Sequence, residues 1–389
     1  MDFKKIIFTV LGTFVIVSSV NIAQADIYSD NGIPDNIKSR IIKIVDTPSN
    51  LAGFANFKRK SKQQRIKDNI DWYKKHGTVN KEYVRYGLDI KNYRNQDDYL
   101  SGREFNRYAI HHGSINPEQY RPLLSDKMLF DEVVRQHYPK VLGDVYFEFK
   151  GKNIIPRKNV LIKNQTNTVS ALKSLGDGKY FIKELDGLCG NNAMVLTIRN
   201  GKMRFQHVSK GKITLEDFRK ITSKRAFLVQ KHVENHSKLK KLSPAALSTV
   251  RIVTTRFNKN VHILSSDLRV GCSKNSIVDN FAKEGAIVHV NEKTGRLAKY
   301  AFRKHKKVMD RHPVSKIKFE NYQLPFWKET IALVKKLHNI FTEFSSIGWD
   351  IAITEDGPIV IEGNYGWDHT IPQTTGGGLK KKWENSKNI

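Results

Sequence analysis

The stretch that decides the fold prediction is 348-GWDIAITEDGPIVIEGN-364, two apolar runs on either side of a polar turn. A three-residue turn at Glu355–Gly357 predicts a β-hairpin. Counting outward from that turn places Asp350 directly opposite Glu362, and opposed residues share one face of the sheet. The other face then carries only apolar side chains, which require a core: Ile351, Ile353, Ile359 and Ile361.

The polar face of this hairpin has the composition of a cation site. Asn364 lies two residues beyond Glu362 and therefore points to the same side as Glu362 and Asp350. Two directly opposed carboxylates repel each other, and a cation between them would relieve that repulsion. Two carboxylates and a carboxamide suit Mg²⁺ or Mn²⁺ that also holds substrate phosphates. The alternative is an exposed hairpin end with solvated acids.

The composition excludes several classes of protein. The chain has 389 residues, of which 39% are hydrophobic and two are cysteines, so it is neither a disordered tail nor a disulfide scaffold. It has 67 Lys and Arg against 38 Asp and Glu, a formal net charge of +29. This excess indicates an anionic partner: nucleic acid, a membrane surface, phosphates or an acidic polymer.

Residues 1–25 have the three-part pattern of a secretory signal peptide. Lys4 and Lys5 form a basic start, Ile6–Val20 is apolar, and Ala23–Ala25 is a small-x-small site. The alternatives are an uncleaved membrane anchor and an ordinary buried helix. The apolar run is too short for a comfortable bilayer span. We therefore leave this segment out of the fold prediction.

The rest of the chain changes character near residue 125. Residues 26–125 are polar with helical spacing, and strand patterns follow. Asn200-Gly201 between two apolar runs is a strong hairpin signal. Pro325 opens an amphipathic helix with apolar residues as far as Phe344. We predict an α+β (α/β) fold dominated by antiparallel strands: Val160–Lys163, Tyr180–Lys183, Met194–Arg199, Met203–Val208, Phe227–Gln230, Val250–Phe257, Val261–Val270, Ala286–Val290 and Leu297–Phe302.

Two further segments could contact an anionic ligand. Lys183 ends a short strand and is followed by a loop that contains Gly187 and Gly190, whose amides could bend around a phosphate, although such glycines are usually turn residues. Arg251 and Arg269 lie on the two strands of one hairpin, and guanidinium groups suit the capture of carboxylate or phosphate. The alternative for both arginines is a simple surface position.

The order of these features resembles that of the ATP-grasp superfamily. Residues 236–254, the hairpin from Asp350 to Asn364, Tyr86–Asp89 and Asp98–Ser101 are similar to the sugar-transfer-associated ATP-grasp family, over roughly residues 80–378. The resemblance implies two α+β subdomains, 126–232 and 233–378, that grip ATP between antiparallel sheets. The helical region 26–125 would precede them and a basic tail, 379–389, would follow.

The resemblance also implies roles for individual residues. Lys127 and Lys183 would contact the phosphates, with Gly187 and Gly190 in the covering loop. Gln230, Lys231 and Val233 would line the adenine. The remaining groups would bind metal or clamp the substrate: Asp350, Glu362 and Asn364 as ligands of Mg²⁺ or Mn²⁺, and Arg251, Arg269 and Asn280 as the clamp.

This sequence departs from the family pattern at two places. Gly348 stands where some ligases carry an arginine, so Arg251 or Arg269 would have to supply that charge, and Ser248 stands where an asparagine is expected. The implied activity is an ATP- and Mg-dependent ligase that activates a carboxylate as an acyl phosphate and joins it to an amine or hydroxyl. Its partners would be glycan-linked or small molecules, an anionic polymer or a membrane, with nucleic acid disfavoured.

Two other functions remain open at this stage. An ATP-grasp kinase would phosphorylate a hydroxyl with the same ATP site, and a non-enzymatic basic protein would bind a polyanion. The expected location is also divided. The signal-like segment predicts export or membrane anchoring, whereas the use of ATP favours a catalytic body in the cytoplasm.

Overall fold

The computed structural model describes residues 32–49, 51, 57–111, 116–157, 167–185, 192–273, 285–303 and 308–387. The signal-like residues 1–25 and the predicted strand Val160–Lys163 lie outside these ranges. Within them, no helix is both long and apolar enough to cross a membrane. The chain divides into two compact units, residues 1–107 and 108–389.

The described part of the first unit has helices on both sides of a turn-rich segment. Its helices are α1 (Asp35–Asp46), α2 (Lys62–His76) and α3 (Gly102–His111), the last of which crosses the boundary of the unit. Residues 81–93 form turns rather than the predicted helix. Aromatic side chains here need a core more than they favour a helix, and the ones that are buried share one cluster: Trp72, Tyr83, Tyr86 and Tyr99.

The described part of the second unit contains two seven-stranded sheets in which the paired strands are antiparallel. Sheet A has the order β2-β1-β7-β3-β4-β5-β6, formed by Val145–Lys150 (β1), Asn153–Pro156 (β2), Gly178–Glu184 (β3), Met194–Arg199 (β4), Lys202–His207 (β5), Gly211–Ile213 (β6) and Ala226–Lys231 (β7). Sheet B has the order β12-β11-β10-β9-β8-β13-β14, formed by Thr249–Phe257 (β8), Asn260–Val270 (β9), Ala286–Val290 (β10), Leu297–Arg303 (β11), Val308–Met309 (β12), Ser346–Thr354 (β13) and Gly357–Asn364 (β14). The predicted antiparallel α+β architecture is confirmed.

Two-residue turns connect two of the strand pairs. Asn200 and Gly201 both have positive φ and form the predicted two-residue turn, the geometry that matches strand twist. Asn258 and Lys259 also have positive φ, because Phe257 pairs directly with Asn260. The strand predicted to begin at Val261 therefore begins one residue earlier, at Asn260.

Helices pack against both sheets and contribute to their cores. They are α4 (Pro122–Ser125), α5 (Lys127–His137), α6 (Thr168–Ser174), α7 (Leu215–Thr222), α8 (Ser237–Leu242), α9 (Trp327–His338), α10 (Thr370–Thr375) and α11 (Lys380–Lys387). The helix predicted to continue to Phe344 ends at His338. Phe341 and Phe344 are nevertheless buried in the core of sheet B, which explains why they fit the apolar spacing.

Candidate functional site

The hairpin of β13 and β14, called the metal hairpin below because it carries Asp350, Glu362 and Asn364, has the predicted carboxylate pair but a different turn. Asp350 pairs with Glu362, as expected. Thr354 pairs with Gly357, however, so the turn has two residues rather than three. A shift in register between Asp350 and Ile351 inserts one extra residue on β14 and restores the carboxylate pair.

The same bulge changes which side chains enter the core. Ile351 pairs with Val360, and both are buried together with Ile353. Ile359 and Ile361, which were predicted to face the core, are only partly buried. That prediction was wrong because the two-residue turn sets Val360, rather than Ile361, opposite Ile351. The alternation is therefore reversed between the turn and the bulge.

A row of polar side chains crosses five adjacent strands of sheet B. Strand pairing sets each member directly opposite the next, so all of them share one face. After the first pair of carboxylates, the row continues with a guanidinium, a carboxylate and an imidazole. In spatial order the row is Glu362, Asp350, Arg251, Asp267 and His289.

Asp350 is the most constrained member of this row. Arg251 donates to both carboxylate oxygens, from Nε at 2.5 Å and from Nη2 at 2.8 Å, and Arg269 Nη1 donates at 3.1 Å. The Asp350 side chain is 5% exposed. Burial alone would raise the pKa of Asp350, but the charges of Arg251 and Arg269 outweigh it and hold the pKa well below its usual range.

Glu362 lies in the opposite electrostatic situation. Burial raises the pKa of Glu362, and the neighbouring Asp350 carboxylate raises it further, whereas Arg251 and Lys183 act in the other direction. Asn364 Nδ2 donates to Gly348 O at 3.2 Å and approaches Glu362 Oε1 at 3.4 Å. The three predicted ligands therefore lie together, with one carboxyl group that an added cation would favour in its charged form.

The two predicted lysines approach this hairpin from other elements. Lys127 is the first residue of α5, whose N-cap Asp126 accepts hydrogen bonds from the backbone amides of Met128 and Leu129. Lys127 Nζ donates to Leu185 O, at the end of β3. Burial lowers the pKa of Lys183 to about 8, opposed by the charge of Glu362 and reinforced by that of Lys127. The structure thus places Lys127, Lys183 and Glu362 within electrostatic reach of one another.

A cavity of about 520 Å³ adjoins the segment that follows β7. Val233 lines it, as do residues on the exposed face of sheet A and the segment after α8: Lys179, Val195, Thr197, Gln206, His232, Glu234, Asn235, Lys240 and Ser243–Leu247. Gln230 and Lys231 belong to β7 and are not among its lining residues. The Lys231 amide donates to Asp144 O.

The region above Gly348 explains the missing arginine. A Cβ at Gly348 would lie 2.9 Å from Trp367 Cβ and 3.4 Å from Arg251 Cδ. Arg251 therefore occupies the space beside Gly348 from the neighbouring strand. Ser248, the other departure, accepts a hydrogen bond from Asn235 through its backbone carbonyl. The predicted Gly187, Gly190 and Asn280 lie outside the described residues.

Sequence reasoning missed two members of the polar row, Asp267 and His289. Asp267 stands two residues before Arg269 and so shares its strand face, which was visible in the sequence. The position of His289 depends on the pairing of β9 with β10, whose connection is a long one. No local spacing predicts that contact.

The fold and the site define the chain as an ATP-grasp protein. More particularly, it belongs to the sugar-transfer associated ATP-grasp family, which matches residues 106–388 and hence most of the chain. The predicted family and fold are confirmed. No curated protein sequence gives a significant match.

Solved structures show a likeness in fold at low sequence identity. D-alanine–D-alanine ligase from Bacillus anthracis is 12% identical, with 74% of this chain and 75% of that chain covered and a TM-score of 0.37. L-amino acid ligase from Bacillus licheniformis is 15% identical, with coverages of 68% and 48% and a TM-score of 0.35. Biotin carboxylase from Campylobacter jejuni is 10% identical, with coverages of 72% and 50% and a TM-score of 0.39. The chain spans about half the length of the last two.

Proposed function

We propose that this protein is an ATP- and Mg-dependent ligase that activates a carboxylate as an acyl phosphate and joins it to an amine or hydroxyl acceptor. The observation that carries the proposal is that Lys183 of sheet A lies within electrostatic reach of Glu362, which sheet B pairs with Asp350. Phosphoryl transfer requires positioning and charge neutralisation rather than a protein nucleophile. The site supplies cations on one side and hard oxygen ligands on the other.

The donor set fits a magnesium ion. Glu362, Asp350 and the Asn364 amide present oxygens of the kind that Mg²⁺ prefers, and substrate phosphates would complete the shell. Among the described residues there is no cluster of three or more His, Cys, Asp or Glu side chains suited to a metal. When bound, Mg²⁺ would supply charge neutralisation for the phosphate groups.

The chain's own cations have separate tasks. Lys127 and Lys183 approach from α5 and β3 and would hold the transferring phosphates of ATP. Arg251 and Arg269 already bind one carboxylate, that of Asp350, at 2.5 to 3.1 Å. The same two guanidinium groups are of the kind that would hold a substrate carboxylate or its acyl phosphate.

The cavity beside Val233 supports a place for the nucleotide base. Its volume of about 520 Å³ is in the usual range for a small-ligand pocket. Val233 and Val195 give it apolar surface, and Lys231, the last residue of β7, directly precedes the lining residue His232 in the sequence. The base would thus lie next to the segment joining the two sheets, with the phosphates directed toward Lys183.

The direct test measures the melting temperature of the protein with and without Mg-ATP. Mg-ATP should raise the melting temperature of the wild type, and Asp350→Asn and Glu362→Gln should each abolish the rise. Asp356→Asn, in the exposed turn of the same hairpin, is the matched control and should keep it. A wild-type protein that melts at the same temperature with and without Mg-ATP would contradict an ATP site.

Product analysis tests the ligase chemistry itself. Purified protein with Mg-ATP is incubated with a panel of amino acids, hydroxy acids and uronic acids, and phosphate release is measured. A ligase releases inorganic phosphate and joins two molecules. Formation of a phosphoester instead would assign a kinase and overturn the ligase proposal.

The net charge of +29 supports a larger anionic partner. We therefore extend the proposal to an acceptor carried on an acidic glycan or at a membrane surface, where basic side chains outside the site would bind. Such binding should weaken steeply with salt and should not require Mg-ATP. Cell fractionation and sequencing of the mature amino terminus would test whether residues 1–25 direct export or anchoring.

A further inference from the structure

The polar row of sheet B continues beyond the arginines to a carboxylate that the proposed ATP and Mg²⁺ contacts do not use. Asp267 is 1% exposed and accepts hydrogen bonds from Ser265 Oγ at 2.7 Å and Thr375 Oγ1 at 2.5 Å. Its Oδ1 also lies 3.5 Å from His289 Nδ1. A buried carboxylate held by two hydroxyl groups beside an imidazole is a typical device for orienting that imidazole.

The residue directly after α10, Gly376, packs against the His289 ring. A Cβ at Gly376 would lie 2.8 Å from both Cε1 and Nδ1 of His289, so only a glycine leaves room for the ring. The His289 side chain is 17% exposed, and Nδ1 is buried without a hydrogen-bond partner among the described residues. A proton on Nδ1 would face the Asp267 carboxylate at 3.5 Å, and this tautomer would leave the lone pair on Nε2.

The imidazole also lies near the groups that would hold the activated substrate. Arg269 pairs with Ile287, and His289 stands two residues further along β10 on the same face. Such diagonal neighbours have Cα atoms about 7–8 Å apart. Arg269 Nη1 lies 3.1 Å from Asp350 Oδ2, so this side chain extends from the strand beside His289 to the carboxylate pair of Asp350 and Glu362.

We propose that His289 is the general base for the acceptor in the ligase reaction and that Asp267 is its positioning residue; this rests on the proposed function. The acceptor nitrogen or oxygen attacks the carbonyl carbon of the acyl phosphate. The new C–N or C–O bond forms as the carbon–oxygen bond to phosphate breaks, and phosphate leaves with the electron pair. The proton of the acceptor passes to His289 Nε2, so no other reactant is required.

The experiment compares two acceptors in the full-length protein. The carboxylate is the panel member that gives the fastest phosphate release. One acceptor is the amine to which the product analysis finds this carboxylate joined. The other is hydroxylamine, which attacks an acyl phosphate without a base. His289→Asn should lower amine product about 100-fold or more and hydroxamate less than about threefold. The melting shift with Mg-ATP should be unchanged, and His137→Asn, an exposed histidine, is the control.

The positioning role has its own readout. Nitrogen NMR of histidine-labelled protein should show His289 with its proton on Nδ1, and Asp267→Asn should shift the tautomer toward Nε2–H. Gly376→Ala, which displaces the ring without removing it, should slow the amine reaction more than the hydroxylamine reaction.

Each result has a distinct meaning. Equal losses with both acceptors, or no loss with either, would overturn the role of His289 and leave the ligase intact. A proton on Nε2 rather than Nδ1 of His289 in the wild-type protein would overturn the general-base role, whatever the reaction rates with the two acceptors. If wild-type protein makes no hydroxamate with any carboxylate, the ligase proposal fails and the general base fails with it.

Discussion

Arg251 binds Asp350 with both ends of its guanidinium fork, from the strand next to the one that carries the carboxylate. Nε and Nη2 donate to separate oxygens at 2.5 and 2.8 Å, and strand pairing sets the two residues directly opposite each other. The side chains are 14% and 5% exposed, respectively. A bidentate pair so little exposed to water fixes the direction of the Asp350 carboxylate.

Breaking this pair should be costly, because it leaves a charge in a site that water barely reaches. Arg251→Met should lower the free energy of unfolding by about 3 kcal/mol, with Arg269 providing partial compensation. Urea denaturation of this variant, Asp350→Asn and the double variant measures the coupling. The double variant should lose clearly less than the sum of the two single losses. Additive losses would show that the two side chains do not stabilise each other.

The pKa of Lys183, which burial lowers to about 8, predicts a pH dependence of nucleotide binding. Only the ammonium form attracts phosphate, so binding should be full below pH 8 and should weaken as the pH rises above it. Calorimetric titration with Mg-ATP between pH 6.5 and 9.5 measures the effect. Lys183→Arg keeps its charge over this range and should bind with a flatter profile. Parallel profiles for the two proteins would assign the titration to another group.

Local sequence signals predicted most of sheet B, and they failed where a bulge or a distant strand decides the outcome. The alternation in β13 and the turn residues near Gly357 identified the carboxylate hairpin. Two errors cancelled there: the turn is one residue shorter than predicted, and the bulge after Asp350 adds the residue back. A bulge leaves no mark in an apolar run such as Ile359–Ile361, because either register offers aliphatic side chains to the core.

The site shows the same division. Lys183 and the carboxylate hairpin were predicted from patterns within single elements and Lys127 from the family resemblance, and the structure brings Lys127, Lys183 and Glu362 together. The bidentate grip of Arg251 on Asp350 joins residues 99 positions apart and requires the order β8-β13. Sequence patterns within one hairpin do not specify which strand of another hairpin lies beside it.

The buried His338 predicts a loss of stability in acid. Its Nδ1 lies 2.7 Å from Thr254 Oγ1 and its Nε2 lies 2.9 Å from Phe344 O. Burial lowers the pKa of His338 to about 4, from about 6.5 in an unfolded chain. The folded protein therefore disfavours the protonated ring, so this contribution is complete above pH 6.5 and is lost as the pH falls toward 4.

The expected loss is about 3 kcal/mol over that interval. Urea denaturation at pH 7, 5.5 and 4.5 measures it. His338→Gln cannot take up a proton and should show a weaker dependence on pH, even though it is less stable at pH 7. If the two proteins lose stability in parallel, other groups cause the acid sensitivity.

Gly363 connects the metal hairpin to the helix that presents Lys127. A Cβ at Gly363 would lie 2.9 Å from Leu124 Cδ2, 3.2 Å from Trp349 Cζ3 and 3.3 Å from Phe130 Cε2. Leu124 and Phe130 belong to α4 and α5, on either side of Lys127. Gly363→Ala should therefore push these helices away from β14 and lower the free energy of unfolding by about 1–3 kcal/mol.

Because α5 carries Lys127, the same substitution should also reduce the rise in melting temperature with Mg-ATP. Phe130→Leu removes atoms from the point of contact, so adding it to Gly363→Ala should cost less than the sum of the separate losses. Gly366→Ala is the control, since nothing lies within 4 Å of a Cβ at that position. A Gly363→Ala protein with normal stability and a reduced Mg-ATP response would contradict the packing explanation, since overpacking must cost stability before it moves the lysine.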